Sequence, residues 1–124
     1  MTARERVLMA ARRENVDRAP AVVYQDPELS DLVVCSLDEL PEAREQFPDK
    51  AIVVEVESPF SRALHGDVKL NDMLASDPAT GHVTLDAFRE ATVKEGDAAC
   101  ADGADGIWYH LEGADPKHCS PMQY

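Results

Sequence analysis

The chain is short of basic residues, of paired cysteines and of long apolar runs, and each shortage closes off a class of function. Lys and Arg number 12 against 24 Asp and Glu, a formal net charge of -12 over 124 residues. A surface that negative repels a phosphate backbone, so nucleic acid is not an expected partner. An anionic substrate would be repelled too, unless basic groups gather at one mouth. The three cysteines, Cys35, Cys100 and Cys119, are far apart and form no Cys-x-x-Cys pair. That argues against a disulfide framework and a zinc ribbon, and for small core residues in a reducing compartment. The amino-terminus is charged, and no stretch approaches the length of a membrane span. A cytoplasmic protein without a membrane partner is expected. Phosphate-cradling loops of the G-x-x-x-x-G-K-[ST] and G-x-G-x-x-G types are missing, as is the G-x-S-x-G nucleophile turn.

What is present is a regular alternation of elements. Thr2 with Glu5 forms a capping box ahead of Val7, Leu8, Ala11 and Val16, predicting a helix over 3–15. Residues 21–24 should be short and extended, 25–30 a polar turn, and 32–35 a buried strand. Ser36 with Glu39 is a second capping box, opening an acidic helix that ends near Gln46, where Phe47-Pro48-Asp49 breaks it. Residues 51–56 are β-branched and continuously apolar apart from Glu55, as in a parallel strand covered on both faces. A helical pattern over 61–76, interrupted near Gly66, leads to Asp77-Pro78, an N-cap followed by proline. From there a long helix should reach about Ala101, with Leu85, Phe88, Ala91, Thr92 and Ala99 on one face. Gly103 stops it, and 106–111 is the next strand.

Strands alternating with helices mean an α/β fold with a parallel sheet and right-handed crossovers. The length suits one domain, 1–124, with three or four strands. A closed eight-stranded barrel takes roughly 250 residues, so half a barrel or a small open sheet is expected.

The ordered motifs point to a family. A basic first helix runs into Asp17-Arg18-Ala19-Pro20, Ser58-Pro59-Phe60 follows a strand, and a Leu-rich helix precedes Asp77-Pro78. A long helix then enters Gly103-Ala104-Asp105-Gly106-Ile107. Together they resemble the uroporphyrinogen decarboxylase superfamily, which also contains corrinoid-dependent methyltransferases, over about two thirds of the chain. The resemblance implies a partial TIM-barrel-like (β/α) unit with a short parallel sheet and an N-terminal lead-in helix, incomplete relative to a full (β/α)8 barrel. It implies a carboxy-lyase that acts without a cofactor on a tetrapyrrole or related small carboxylated molecule. The alternatives are a methyltransferase-like domain and a non-catalytic, oligomerising remnant of the fold.

The chain departs from the family where substrate is gripped. The family's arginine-rich segment after the N-terminal proline is here Val22-Val23-Tyr24-Gln25-Asp26-Pro27, without arginine. Asp26 and Asp31 are only nearby candidates for its substrate aspartate. Counting from the family's motifs, its pocket tyrosine falls on His65, and a pocket polar residue falls on Glu112.

In parallel α/β folds chemistry gathers at the C-terminal ends of strands. The candidate catalytic residues are therefore Glu55, His65, Tyr109 and Glu112, and the candidate substrate contacts are Ser58, Phe60, Arg62 and His110. Glu55 and Glu57 flank Val56 and project to one side, where they could share a proton, or Glu55 could pair with Arg62. Arg62, the best-placed cation for a carboxylate, could instead be taken by Glu57 or Asp67. His110, Glu112, His118 and Cys119 are the densest set of metal-ligating types, but lack the cysteine pair of zinc deaminases, so no metal is assigned. Trp108 is expected in the core and Tyr109 at a pocket. Exposed strand edges on a half barrel would pair, so a homo-oligomer is expected.

Overall fold

The computed structural model describes residues 1–66 and 69–111. Glu112, His118, Cys119 and Asp67, named above, lie outside the described residues. The element order is α1 (Ala3–Ala11), β1 (Leu32–Cys35), α2 (Leu40–Gln46), β2 (Ala51–Glu57), α3 (Pro59–His65), α4 (Leu70–Ser76), α5 (Pro78–Ala101) and β3 (Gly106–His110). The strands form one open parallel sheet in the order β1-β2-β3. β1 runs in register with β2, Leu32 beside Ala51 and Cys35 beside Val54. The α/β class and the partial β/α unit expected from the alternation are therefore present.

The chain sorts into two compact units, one of Met1–Glu55 with Asp97–Trp108, the other of Val56–Gly96 with the chain from Tyr109. The first is built on the apolar run of β2. Ala51, Ile52 and Val54 are fully buried, with Leu40 of α2 and Ala99 of α5. The second has its own core of Phe60, Ala63, Leu70 and Leu74, against which Leu85 and Phe88 pack. Of the face expected on α5, Ala91 is exposed and belongs to neither core.

Local capping chemistry explains the element ends. Thr2 and Glu5 exchange side-chain and main-chain hydrogen bonds at the start of α1, as their spacing predicts. That helix stops at Ala11 rather than near Asn15. Arg13 turns to φ 60, and the N–H groups of Arg12, Arg13 and Glu14 fold back onto the carbonyls of Met9 and Ala10. Ser36 and Glu39 make the reciprocal bonds of their box, but only a turn follows, and α2 begins at Leu40. Ser58 caps α3, its Oγ accepting from the Ser61 N–H at 3.1 Å. Asp77 caps α5 through the N–H and hydroxyl of Thr80. Gly103, at φ +90, provides the left-handed turn into β3.

Residues 21–24, expected to be short and extended, join neither a helix nor the sheet: Ala21 and Val23 pair with Asp31 and Ser30, partly through side chains. Two sequence expectations are corrected. β1 is only half-buried up to Cys35, because it has a neighbour on one side alone. Trp108 is not a core residue. β3 is likewise an edge strand, Ile107, Trp108 and Tyr109 along it are exposed, and Trp108 meets Tyr24 edge-to-face at 5.4 Å.

The edge of β1 is nevertheless blunted. Asp31 offers its carbonyl to Ala51 of β2, so by strand alternation the main chains of Leu32 and Val34 face away. Leu32 is satisfied locally, its carbonyl accepting from the Ser30 hydroxyl at 2.5 Å. The Ser36 N–H goes to the Glu39 carboxylate at 3.2 Å. Only about one residue of edge remains for another strand, a recognised protection against edge pairing.

Candidate functional site

The charged groups of the first unit sit where strands begin. Asp31, immediately before β1, accepts two hydrogen bonds from Arg18 (2.7 and 2.9 Å), one from Arg6 (2.7 Å) and one from the Ala21 N–H (2.8 Å). Arg6, itself buried, also grips Asp17 with two bonds of 2.7 and 2.8 Å. The Asp17-Arg18 pair is thereby explained: one member holds the helix arginine, the other the strand aspartate. Asp105, immediately before β3, accepts from Arg4 at 2.9 and 2.8 Å, from Arg44 at 3.1 Å and from the Ile52 N–H at 3.0 Å.

Burial pushes the Asp31 and Asp105 carboxyls up, but arginine and main-chain donors outweigh it and hold both below their ordinary value. The Arg6 fork holds Asp17 well below the usual carboxylate range. Every one of these acids is spoken for by a fixed donor. Asp31 is thus a structural anion, and it is withdrawn as a substrate aspartate.

The groups at the end of β2 are arranged differently. Glu57, the last residue of that strand, meets His65 of α3, Oε1 to Nδ1 at 2.8 Å. Its main-chain carbonyl accepts from the Thr92 hydroxyl at 2.8 Å and from Arg62 Nε at 3.3 Å. Arg62 Nε also donates to Thr92 Oγ1 at 2.9 Å, and its Nη2 to Glu95 Oε2 at 2.5 Å. Thr92 and Glu95 lie three apart on α5, so one helix turn fixes the arginine against the strand end. Side chains here stay partly open: Glu57 37%, His65 48%, Glu95 32% exposed.

Beside this cluster Ser58, Ser61 and the His110 main chain form a closed chain of hydrogen bonds. The Ser58 N–H donates to the His110 carbonyl at 2.8 Å, Ser58 Oγ to Ser61 Oγ at 3.1 Å, and Ser61 Oγ to the same carbonyl at 3.2 Å.

The structure thus brings together His65, Arg62 and Glu57, with Ser58 and His110 next to them through the main chain. Ser58 and Phe60 are withdrawn from solvent, one as a helix cap and the other in the core, which leaves them positioning roles. Glu55 and Tyr109 are exposed, and His110 is half-buried. Among the described residues the carboxylate partner of Arg62 is Glu95, which sequence spacing did not suggest, and its contact with Glu57 runs through the main chain rather than the carboxylate. Neither Thr92 nor Glu95 was legible as a site residue, because they are 30 and 33 positions from Arg62.

Among the described residues no cluster of three or more His, Cys, Asp and Glu could hold a metal, and no helix is long and apolar enough to cross a membrane. Two clefts flank β1 in the first unit. One is lined by residues such as Val22, Tyr24 and Leu32, the other by Cys35, Glu39 and Phe47, and neither contains an expected site residue.

A histidine–carboxylate pair open to water can pass a proton, and an adjoining guanidinium can hold an anion. The chain matches no family model, no curated protein and no solved structure.

Proposed function

We propose that this chain is a uroporphyrinogen-decarboxylase-like unit acting on a tetrapyrrole or related small carboxylated molecule at the C-terminal end of β2. The observation that carries the reading is the Glu57–His65 pair joined, through the Glu57 carbonyl, to Arg62. In this reading Arg62 meets a substrate carboxylate. His65, oriented by Glu57, supplies the proton that replaces carbon dioxide on carbon, so the electron pair of the broken carbon–carbon bond ends in a new C–H bond. Position on a parallel strand's C-terminal end supports the assignment. A net charge of -12 speaks against nucleic acid, and free Cys35 and Cys100 suit a reducing cytoplasm.

The test is loss of carboxylates from uroporphyrinogen in a coupled assay. R62Q should raise KM, and H65Q should lower kcat with little change in KM. Turnover that persists unchanged in both variants would remove this site from the reaction.

A second reading, an oligomerising remnant without activity, is favoured by the exposed apolar row of β3, Ile107 and Trp108 among it. It predicts a dimer or larger species by light scattering together with no turnover. A monomer overturns it.

A further inference from the structure

We infer that Glu95 is a specificity-determining residue, a resident carboxylate that occupies on Arg62 the place a substrate carboxylate takes. The inference rests on the site reading above and adds the competitor that a ligand must displace.

Three features of the ion pair support exchange rather than permanent bracing. First, the guanidinium is anchored without Glu95. Its Nε reaches both Thr92 Oγ1 and the Glu57 carbonyl, and Thr92 ties α5 to that same carbonyl independently. Second, Glu95 engages Arg62 through one oxygen on Nη2, and Nη1 takes no partner among the described residues. With Nε already donating to Thr92 and the Glu57 carbonyl, the Nη1–Nη2 edge is the one left on Arg62 to grip a carboxylate with two parallel bonds, so a ligand can make a contact that Glu95 leaves half made. Third, the pair is reachable, with Arg62 19% and Glu95 32% exposed. Partly solvated ion pairs contribute little net stability, so the bond is cheap to exchange.

In a chain of net charge -12, anions are repelled at long range, and Arg62 is a local exception that Glu95 offsets until a ligand displaces it. With Glu95 in place the Arg62–Glu95 pair is neutral at rest and favours ligands whose carboxylate can bind in bidentate fashion. Polycarboxylated molecules, which rebind through a second arm, are the class selected.

The experiment is calorimetric titration of the full chain with citrate as the probe. E95Q keeps the shape of the side chain and removes its charge, and it should tighten citrate binding roughly tenfold over wild type. E95D, which keeps the charge but withdraws it by one methylene, should fall between the two. R62Q/E95Q should lose the whole gain. Citrate affinity in E95Q and E95D equal to or weaker than wild type, in protein that melts cooperatively, would overturn the inference. A gain in E95Q without carboxylate loss from uroporphyrinogen upholds Glu95 and sinks the decarboxylase reading; turnover without that gain does the reverse.

Discussion

Arginine is used in opposite ways in the two units. In the first, Arg6 and Arg18 close on Asp31, and Arg4 and Arg44 close on Asp105. Those carboxylates are 3% and 6% exposed, and each also takes a main-chain N–H. In the second, Arg62 has one carboxylate contact among the described residues, and the acids around it remain about a third open to water. A charge surrounded by fixed donors and cut off from water cannot be removed without stranding its partners. A half-solvated pair can exchange, because water or a ligand replaces what is lost. Saturation and burial therefore mark the structural acids, and partial exposure marks the candidate site.

That contrast is easiest to break at Asp31. D31A strips buried Arg6 of one of its two carboxylates, leaves it Asp17 alone, and takes the acceptor from Arg18 and the Ala21 N–H; it should cost about 3 kcal/mol in a urea melt. Trp108, the single tryptophan, is the reporter, since its ring packs on Tyr24 in the same unit. D105A should behave alike. If E95Q or H65Q costs as much, the distinction between the two regions fails.

Acid sharpens the same point. Asp31 and Asp105 are held below their ordinary value of 3.8 in the folded chain. Their contribution is fully present above that value and is lost as pH falls through the lower folded values, because the unfolded chain then binds more protons. Stability should fall steeply below about pH 4, and D31N should flatten that fall. An acid limb unchanged in D31N would show that other carboxyls set it.

Within the second unit the packing, rather than the charges, should respond to mutation. A Cβ added at Gly81 would lie 2.9 Å from Leu74 Cδ2 and 3.1 Å from the Leu74 main-chain nitrogen. G81A should therefore cost about 1–3 kcal/mol by overpacking. A neutral G81A would mean that α4 gives way easily.

T2A removes the cap oxygen of α1 and should cost about 1 kcal/mol. At the bottom of the scale, E95Q and H65Q should each lie within about 0–1 kcal/mol of wild type, while shifting citrate affinity and turnover.

Much of the fold was legible because its signals are local. The apolar run at 51–56, both capping boxes, Asp77-Pro78 and Gly103 each act within a few residues and were readable without context. The site was half legible. His65 and Arg62 fall on the turn after a strand, where chemistry is expected, but His65 meets Glu57, whose place in the sequence points only to Glu55 and Arg62. Trp108 misled, since a large aromatic in a strand reads as core, and only the sheet order shows that β3 has a single neighbour.

By itself, then, the sequence determined the α/β alternation, the element boundaries that caps and breakers set, and the acidic balance, all of which depend on neighbours within a turn or a strand. Only the tertiary structure decided which acids meet which arginines. Asp31 with Arg6, Asp105 with Arg4 and Glu95 with Arg62 are 25, 101 and 33 residues apart. Charge identity cannot choose among 24 acids and 12 bases. Backbone geometry does, by bringing one pair within 3 Å and burying it while leaving another open to water.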